Sequence, residues 1–205
     1  MNKKNIDDFF SKLGQNSNKV KGGMKIFLTG CAAGNLLGGA RPSLDIDFAV
    51  RCDKKYFADA QDAIERTSAV SGVAVNFSED IDRWSQITFL DYKRHAIPYK
   101  RFGRVIVMLL EPAYWSIGKI ARYLDPDVDD LVRVFRKQRV PALKLAKLWG
   151  KALAKSPRSS ASFSFKTHVE HFFRTYGRVI WGSKFSPDRH ISVFYGAAGI
   201  DNPAK

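Results

Sequence analysis

The chain has 205 residues, enough for one sizeable hydrophobic core or for one domain with an appended helical subdomain. Apolar residues make up 45% of the sequence and aromatic residues 13%, which excludes a disordered chain. No apolar run approaches the roughly 20 residues of a membrane-spanning helix, and no apolar signal core follows the first lysines, so we expect a cytoplasmic protein. The formal net charge of +14 predicts attraction to polyanions, most simply RNA or DNA.

The first half of the chain is predicted to be rich in strands. Apolar residues at helical spacing, followed by Gly14, predict a short amphipathic helix at the start. Residues 93–100 read as a polar bend broken by Pro98. The predicted helices cover 6–13 and 54–66, and the predicted strands cover 26–28, 44–50, 73–77, 84–92 and 104–110. These strands would form one mixed sheet.

The second half is predicted to be helical, and the change in composition falls near residue 111. The predicted helices cover 112–123, 128–137, 142–155 and 163–175, and residues 178–205 look irregular. Trp115, Trp149 and Trp181 are predicted to anchor the core rather than to stack on bases. The expected fold class is therefore α+β, with a mixed sheet flanked by helices in residues 1–110 and a basic helical subdomain in residues 111–205 that packs on it.

Two carboxylates stand out on the predicted strand 44–50. Asp45 and Asp47 alternate with apolar residues, so they project from one face of the strand while the apolar side chains enter a core. Two carboxylates side by side repel each other unless a cation lies between them. Oxygen-only ligands favour a magnesium ion, with Mn²⁺ as the substitute.

The residues around this pair resemble a known motif. Gly30, the run Gly-Gly-Ala-Arg at 38–41, Ser43 and the two acids are similar to the motif of the nucleotidyltransferase superfamily, which has the polymerase-β-like fold. In that family a strand ends in a glycine turn, a helix follows, and an Asp-x-Asp strand carries two metal-binding carboxylates. The version in this chain looks most like the small bacterial members that include abortive-infection and toxin–antitoxin toxins.

The resemblance implies roles for particular residues. Asp45 and Asp47 would be catalytic and would bind the metal, which supports phosphoryl transfer. Backbone N–H groups near Gly30 would bind the phosphates of the nucleotide, and Arg41 and Ser43 would add side-chain contacts. A third acid on a neighbouring strand commonly completes such a site. Asp91, at the end of the predicted strand 84–92, is the candidate. Two rivals lie earlier in the chain, Asp80 and Asp82.

A second group of residues resembles a downstream element of the same family. Lys119 would contact the nucleotide phosphates as a point charge, and Arg122 lies one turn later on the same helix face. Asp127 and Asp130, which share a face of the next predicted helix, would orient these two cations.

A basic region follows, with no Asp or Glu from Leu131 to Val169. On the predicted helix 142–155, one stripe is apolar and the opposite stripe is formed by four lysines, Lys144, Lys147, Lys151 and Lys155. Such a row matches a nucleic-acid backbone, although a lysine stripe is also common on a merely solvated helix face. The apolar stripe is expected to pack on the sheet domain.

Together these features predict a metal-dependent nucleotidyltransferase that uses an NTP such as ATP. The resemblance and the charge favour RNA, for example the 3′ end of a tRNA, as the acceptor. Growth arrest is then the expected effect in the cell, and a cognate antitoxin is an expected partner. Two alternatives stay open. The acceptor could be a protein hydroxyl or a small molecule, or the fold could be a catalytically inactive nucleic-acid-binding module. A polycationic antibiotic is disfavoured as acceptor because a strongly positive protein repels it.

Overall fold

The computed structural model describes residues 1–39 and 41–201. Within these residues the chain is α+β, with nine α-helices and one five-stranded mixed sheet. The helices are α1 Lys3–Asn16, α2 Gly30–Leu37, α3 Phe57–Ser71, α4 Tyr92–His95, α5 Pro112–Arg122, α6 Asp125–Gln138, α7 Ala142–Lys155, α8 Ser160–Trp181 and α9 Pro187–Ala198. The strands are β1 Met24–Leu28, β2 Asp45–Arg51, β3 Ala74–Ser78, β4 Ile97–Phe102 and β5 Val105–Leu109. No helix in the described ranges is long and apolar enough to cross a membrane.

The described residues form two compact units. The first, here called the sheet unit, contains residues 1–36, 41–81 and 93–111. The second, here called the helical unit, contains residues 37–39, 82–92 and 112–201. The functional division between residues 1–110 and 111–205 that the sequence predicts stays a prediction.

The sheet unit is organised around β1 and β2. The strand order is β3-β2-β1-β5-β4, with β1 antiparallel to β2 and parallel to β5. β3 pairs in parallel with β2, and β4 pairs antiparallel with β5 at one edge. One face of the sheet is closed by α1, where the ring of Phe10 lies 6.0 Å from the ring of Phe48 and 6.1 Å from that of Phe102. Because Phe48 is buried on the face that α1 covers, its neighbours at odd-numbered positions of β2 project from the opposite face of the sheet.

The helical unit has an aromatic core. The apolar stripe of α7 is buried, and the indole of Trp149 donates a hydrogen bond of 2.9 Å to Ser116 Oγ. Trp115 is 1% exposed and Trp149 is fully buried, so both are core anchors as predicted. The stripe packs against α5, α8 and above all α9. The sequence predicted packing on the sheet domain and did not include α9, the helix with which α7 makes its most extensive contacts.

Three of the predicted elements were wrong. The segment 84–92 is not a strand, because the Asp82 carboxylate accepts hydrogen bonds from the backbone N–H of Phe89 (2.7 Å) and from the Thr88 hydroxyl (3.3 Å). These bonds fold the segment back on itself. The predicted bend 93–100 instead contains most of β4, an edge strand that tolerates Pro98 at a register shift.

The third error is at the C-terminus, where residues 178–205 were predicted to be irregular. α8 continues to Trp181, and α9 follows after Ser186, whose side chain accepts a hydrogen bond from the backbone N–H of Arg189. Pro187 occupies the first turn of α9, a favoured position for proline. Residues 202–205, and Ala40 of the glycine-rich run, lie outside the described residues.

Candidate active site

The two predicted catalytic carboxylates lie together at the start of β2. Asp45 and Asp47 are both partly buried and are separated by the buried Ile46, which points to the other face. Asp47 pairs in register with Asn76 of β3. The Asn76 amide nitrogen donates hydrogen bonds of 3.0 Å to Asp45 Oδ2 and of 3.0 Å to Asp47 Oδ1. A single nitrogen can reach both carboxylates only if they project from the same face, as the alternation of the strand predicts.

The chemistry of these groups fits a divalent metal ion such as Mg²⁺ or Mn²⁺. Asp45 and Asp47 provide carboxylate oxygens, and the side-chain amide of Asn76 carries an oxygen that a rotation about its last bond would present instead of the nitrogen. Residues 1–39 and 41–201 contain no group of three His, Cys, Asp or Glu side chains that could hold a metal ion. The donor set that the structure offers is therefore two carboxylates and one amide.

Asn76 was missed by the sequence analysis. Residues 73–77 were correctly predicted as a strand, but the register that brings Asn76 opposite Asp47 depends on pairing across 29 residues of chain. Asn76 lies on the strand next to Asp45 and Asp47, whereas the third acid was predicted at Asp91. Its neutral amide reduces the repulsion between the two carboxylates by donating to both of them.

Gly30 shapes the other side of the pair. It follows β1 after one residue, Thr29, has a φ of +64°, and begins α2. A Cβ atom built on Gly30 would overlap the carboxylate of Asp47. The backbone N–H of the preceding Thr29 donates a hydrogen bond of 2.9 Å to the Asp47 carbonyl. Only glycine allows the left-handed backbone and this close approach together.

We expect Gly30→Ala to lower the free energy of unfolding by about 2–4 kcal/mol, since it adds a steric overlap with Asp47 to the left-handed backbone penalty of about 1–2 kcal/mol. Gly72→Ala is the matched control, because Gly72 has a φ of +67° and open space around its Cα. Urea unfolding of both variants measures the difference. Equal losses would show that the contact with Asp47 does not restrict position 30.

Ser43 and Arg41 lie next to the pair in the chain. Ser43 is 1% exposed, and its hydroxyl donates to the Asp45 carbonyl (2.5 Å) and more weakly to Asp45 Oδ1 (3.4 Å). Arg41 Nη2 donates to Cys31 Sγ at 2.8 Å, in the first turn of α2. Ser43 thus positions the start of β2. The contacts of both residues with a nucleotide stay predictions.

The candidates for a third acid lie in different settings. Asp91 lies in the turn before α4 and does not end a strand. It belongs to the helical unit and accepts a hydrogen bond of 3.5 Å from the Tyr114 hydroxyl. The structural reason for choosing Asp91 was therefore wrong, and its catalytic role stays a prediction. Asp80 forms an ion pair of 2.5 Å with Lys93, and Asp82 folds the segment after it as described above.

The predicted second group forms a buried charge cluster in the helical unit. Lys119 is 3% exposed, and its Nζ donates to Asp127 Oδ1 at 2.9 Å and to Asp130 Oδ2 at 2.7 Å. Arg122 Nε donates to Asp127 Oδ2 at 2.6 Å, while the Arg122 side chain is 56% exposed. The prediction that the acids of α6 orient these cations is confirmed for Asp127, which contacts both cations, and for Asp130, which contacts Lys119. Nucleotide binding by Lys119 and Arg122 stays a prediction.

The electrostatics of Asp127 follow from this cluster. Burial by itself raises the pKa of the carboxyl group, and the hydrogen bonds and charges of Arg122 and Lys119 lower it. The net result is a pKa below the ordinary value of an aspartate, so Asp127 is ionised. A buried carboxylate that is held by two cations fixes the junction of α5 and α6.

The four lysines of α7 are all exposed, and the residues of the opposite face are buried. The predicted amphipathic character of this helix is confirmed. Contact of Lys144, Lys147, Lys151 and Lys155 with nucleic acid stays a prediction.

Comparison of the chain with protein-family models, with curated proteins and with solved structures found no match.

Proposed function

We propose that the protein is a metal-dependent nucleotidyltransferase that transfers a nucleoside monophosphate from an NTP to an acceptor hydroxyl, with RNA as the first candidate acceptor. One observation carries the proposal. Asp45 and Asp47 project from one face of β2, close enough for the Asn76 amide to bridge them, beside a glycine whose missing side chain leaves room for the Asp47 carboxylate. The resemblance of residues 30–47 to the nucleotidyltransferase motif supports the same reading.

The proposed reaction is an in-line substitution at phosphorus. The acceptor oxygen forms a bond to the α-phosphorus, the bond from this phosphorus to the bridging oxygen of the β-phosphate breaks, pyrophosphate leaves, and the hydroxyl proton passes to solvent. Mg²⁺ held by Asp45 and Asp47 would supply positive charge against the triphosphate oxygens. Asn76 would keep the two carboxylates aligned, and Ser43 would fix the backbone that carries Asp45.

The charge of the protein favours a polyanionic acceptor. At a formal net charge of +14 the protein attracts RNA and repels polycationic small molecules. The exposed lysines of α7 support the same preference. Modification of a tRNA 3′ end, with growth arrest in the cell and release by a cognate antitoxin, is the form of this activity that the resemblance suggests.

Labelling identifies the acceptor directly. The purified protein is incubated with Mg²⁺, with each α-³²P-labelled NTP in turn, and with either total RNA or cell protein. We expect label in the RNA for the wild type and none for Asp45→Ala. Label in protein instead would identify a protein hydroxyl as the acceptor. Label in neither fraction with any NTP would refute the proposed activity.

A second candidate is a nucleic-acid-binding module without catalysis. The observation that favours it is Asn76, because the residue opposite Asp47 on the neighbouring strand is a neutral amide and not a third acid. In this case the two carboxylates would be structural acceptors for the Asn76 amide, and Mg²⁺ would have no specific effect on the protein.

Asn76→Asp separates the two candidates. In EDTA the variant is expected to melt about 2–4 °C below the wild type. The substitution removes the amide that donates to Asp45 and Asp47 and adds a third carboxylate beside them, which lowers the free energy of unfolding by about 1 kcal/mol. For a metal site, millimolar Mg²⁺ would raise the melting temperature of Asn76→Asp more than that of the wild type. Asn76→Ala is the control for loss of the bridge alone. An Mg²⁺ effect that is absent from all three proteins would support the inactive module.

A further inference from the structure

The sheet unit contains a groove of 690 Å³ at the end of the sheet where β1 begins and β2 ends. Five of the twelve residues that line it are cationic, and one is acidic. The cations are Lys21, Lys25, Arg51, Arg101 and Arg104. All five are exposed. The groove is thus a strongly basic concave surface that the proposed catalytic residues do not use.

The strand register places three of these cations in one row across the sheet. Lys25 of β1 lies opposite Arg51 of β2 on one side and opposite Ile106 of β5 on the other. Ile106 in turn lies opposite Arg101 of β4. Residues opposite each other in a sheet point to the same face, and neighbouring strands are about 4.8 Å apart. Arg51, Lys25 and Arg101 therefore share one face of four adjacent strands.

This row is electrostatically unfavourable in the protein alone. Like charges directly opposite each other destabilise a sheet, and Lys25 and Arg51 are such a pair. In the described part of the chain, none of the five cations forms a salt bridge with an acid. The one acid of the groove, Asp53, accepts from the backbone N–H of Lys55 at 3.3 Å and pairs with the Lys55 ammonium at 3.4 Å. An anion that enters the groove would relieve the repulsion.

The turns that border the groove leave the backbone accessible. Gly22, Gly23 and Gly103 line it, and a Cβ atom on Gly22 would meet nothing within 4 Å. A polymer can therefore approach the main chain between the cationic side chains. Because the surface is concave and its exposed side chains are charged rather than apolar, a bent phosphate backbone suits it better than a flat lipid bilayer does.

We propose that this groove binds the phosphodiester backbone of a nucleic acid, independently of base sequence. The row formed by Arg51, Lys25 and Arg101 contacts successive phosphates, and Lys21 and Arg104 extend the positive surface on the flanking loops. This binding depends on the groove alone and needs neither metal ion nor NTP. It is therefore distinct from the nucleotide transfer proposed for Asp45 and Asp47.

The test is the salt dependence of RNA binding. A fluorescein-labelled single-stranded RNA of 20 nucleotides is titrated with protein in EDTA without NTP, and anisotropy is measured between 50 and 300 mM KCl. For the triple variant Lys25→Ala/Arg51→Ala/Arg101→Ala we expect at least about tenfold weaker binding at 100 mM salt. The slope of log K against log [salt] should be shallower by about 2, since each lost phosphate contact removes about 0.7.

The matched control removes the same formal charge outside the groove. Lys4→Ala/Lys12→Ala/Arg66→Ala changes three exposed cations on α1 and α3 of the same unit. We expect its slope to stay within about 0.5 of the wild-type value, because it removes no phosphate contact. Urea unfolding checks that both triple variants are folded. Equal weakening in the two variants would overturn the proposal, since net charge would then explain binding, and so would a groove variant that binds like the wild type.

Two further measurements separate this proposal from its rivals. Asp47→Asn should bind the RNA as tightly as the wild type, because binding in EDTA does not involve the proposed metal site. If the proposed nucleotide transfer failed its own test, the result of this binding experiment would stay the same. Vesicles containing 30% phosphatidylserine should sediment neither the wild type nor the groove variant at 150 mM salt. Groove-dependent binding to vesicles without groove-dependent binding to RNA would overturn the assignment to nucleic acid.

Discussion

Replacing Asp47 by asparagine is expected to lower nucleotide transfer by at least about a thousandfold and to leave the protein folded. The substitution keeps the size of the side chain next to Gly30 but removes the charge that would hold Mg²⁺ against the triphosphate. Loss of such charge stabilisation costs several kcal/mol in the transition state, and each 1.36 kcal/mol is about tenfold in rate. Initial rates of label transfer at saturating NTP measure the effect.

The matched control for this variant is Asp62→Asn. Asp62 is exposed on α3 of the same unit and forms no part of the carboxylate pair. It loses the same charge and should keep the wild-type rate. A reduction of less than about tenfold for Asp47→Asn would contradict the assignment of Asp47 to the reaction, because the amide lacks the negative charge that the proposal requires for holding the metal ion.

Replacing Asp127 by asparagine is expected to lower the free energy of unfolding by about 3–5 kcal/mol, the largest loss we predict for any single substitution. The Asp127 side chain has no exposed surface and accepts from both Lys119 and Arg122. Removing its charge leaves the buried ammonium of Lys119 with a single carboxylate partner, and breaking a buried ion pair by removing one partner has this typical cost. Urea unfolding monitored by circular dichroism measures the loss.

The same carboxylate predicts a pH dependence with a definite sign. The folded state lowers the pKa of Asp127 below its unfolded value of 3.8. The contribution of this carboxylate to the free energy of unfolding is therefore complete at pH values above 3.8. The contribution is lost as the pH falls through the lower folded pKa. Between pH 7 and pH 3, the wild type should therefore lose more stability than Asp127→Asn does.

Asp129 provides the comparison for both measurements. It lies on the same helix, α6, two residues from Asp127, and its side chain is exposed. Asp129→Asn should change the free energy of unfolding by less than about 0.5 kcal/mol and should keep the wild-type pH dependence. If the two variants behaved alike, the buried cluster would not be the source of the stability.

Local patterns were sufficient for part of the candidate site. Asp45 and Asp47 are two residues apart on one strand, so the alternation of a strand fixes their common face without further information. The partners of Lys119 could be predicted in a similar way, because Asp127 and Asp130 lie on one face of the helix that follows. Asn76 could not, since its role depends on the register of two strands that no local pattern determines.

The errors in the fold have particular causes. Residues 93–100 were predicted as a polar bend broken by Pro98, but β4 is an edge strand, where the missing N–H of proline is tolerated. The sequence analysis missed α9, although the pattern of an amphipathic helix is present in the sequence. The apolar residues of that pattern recur at helical spacing and are all buried: Ile191, Phe194, Tyr195 and Ala198. Asp91 was misplaced because the predicted strand 84–92 does not form. The Asp82 carboxylate accepts from the backbone N–H of Phe89, which a sheet would need for pairing.

The most direct test of the metal site is the binding of Mn²⁺, which substitutes for Mg²⁺ and is visible by electron paramagnetic resonance. Mn²⁺ is titrated into the protein with a non-hydrolysable NTP analogue, and the signal of free Mn²⁺ is recorded. We predict saturable binding to the wild type and to Asp62→Asn, and at least about a hundredfold weaker binding to Asp45→Asn/Asp47→Asn, which removes both charged ligands. Equal Mn²⁺ affinity in the wild type and the double variant, or no binding to the wild type, would contradict the account.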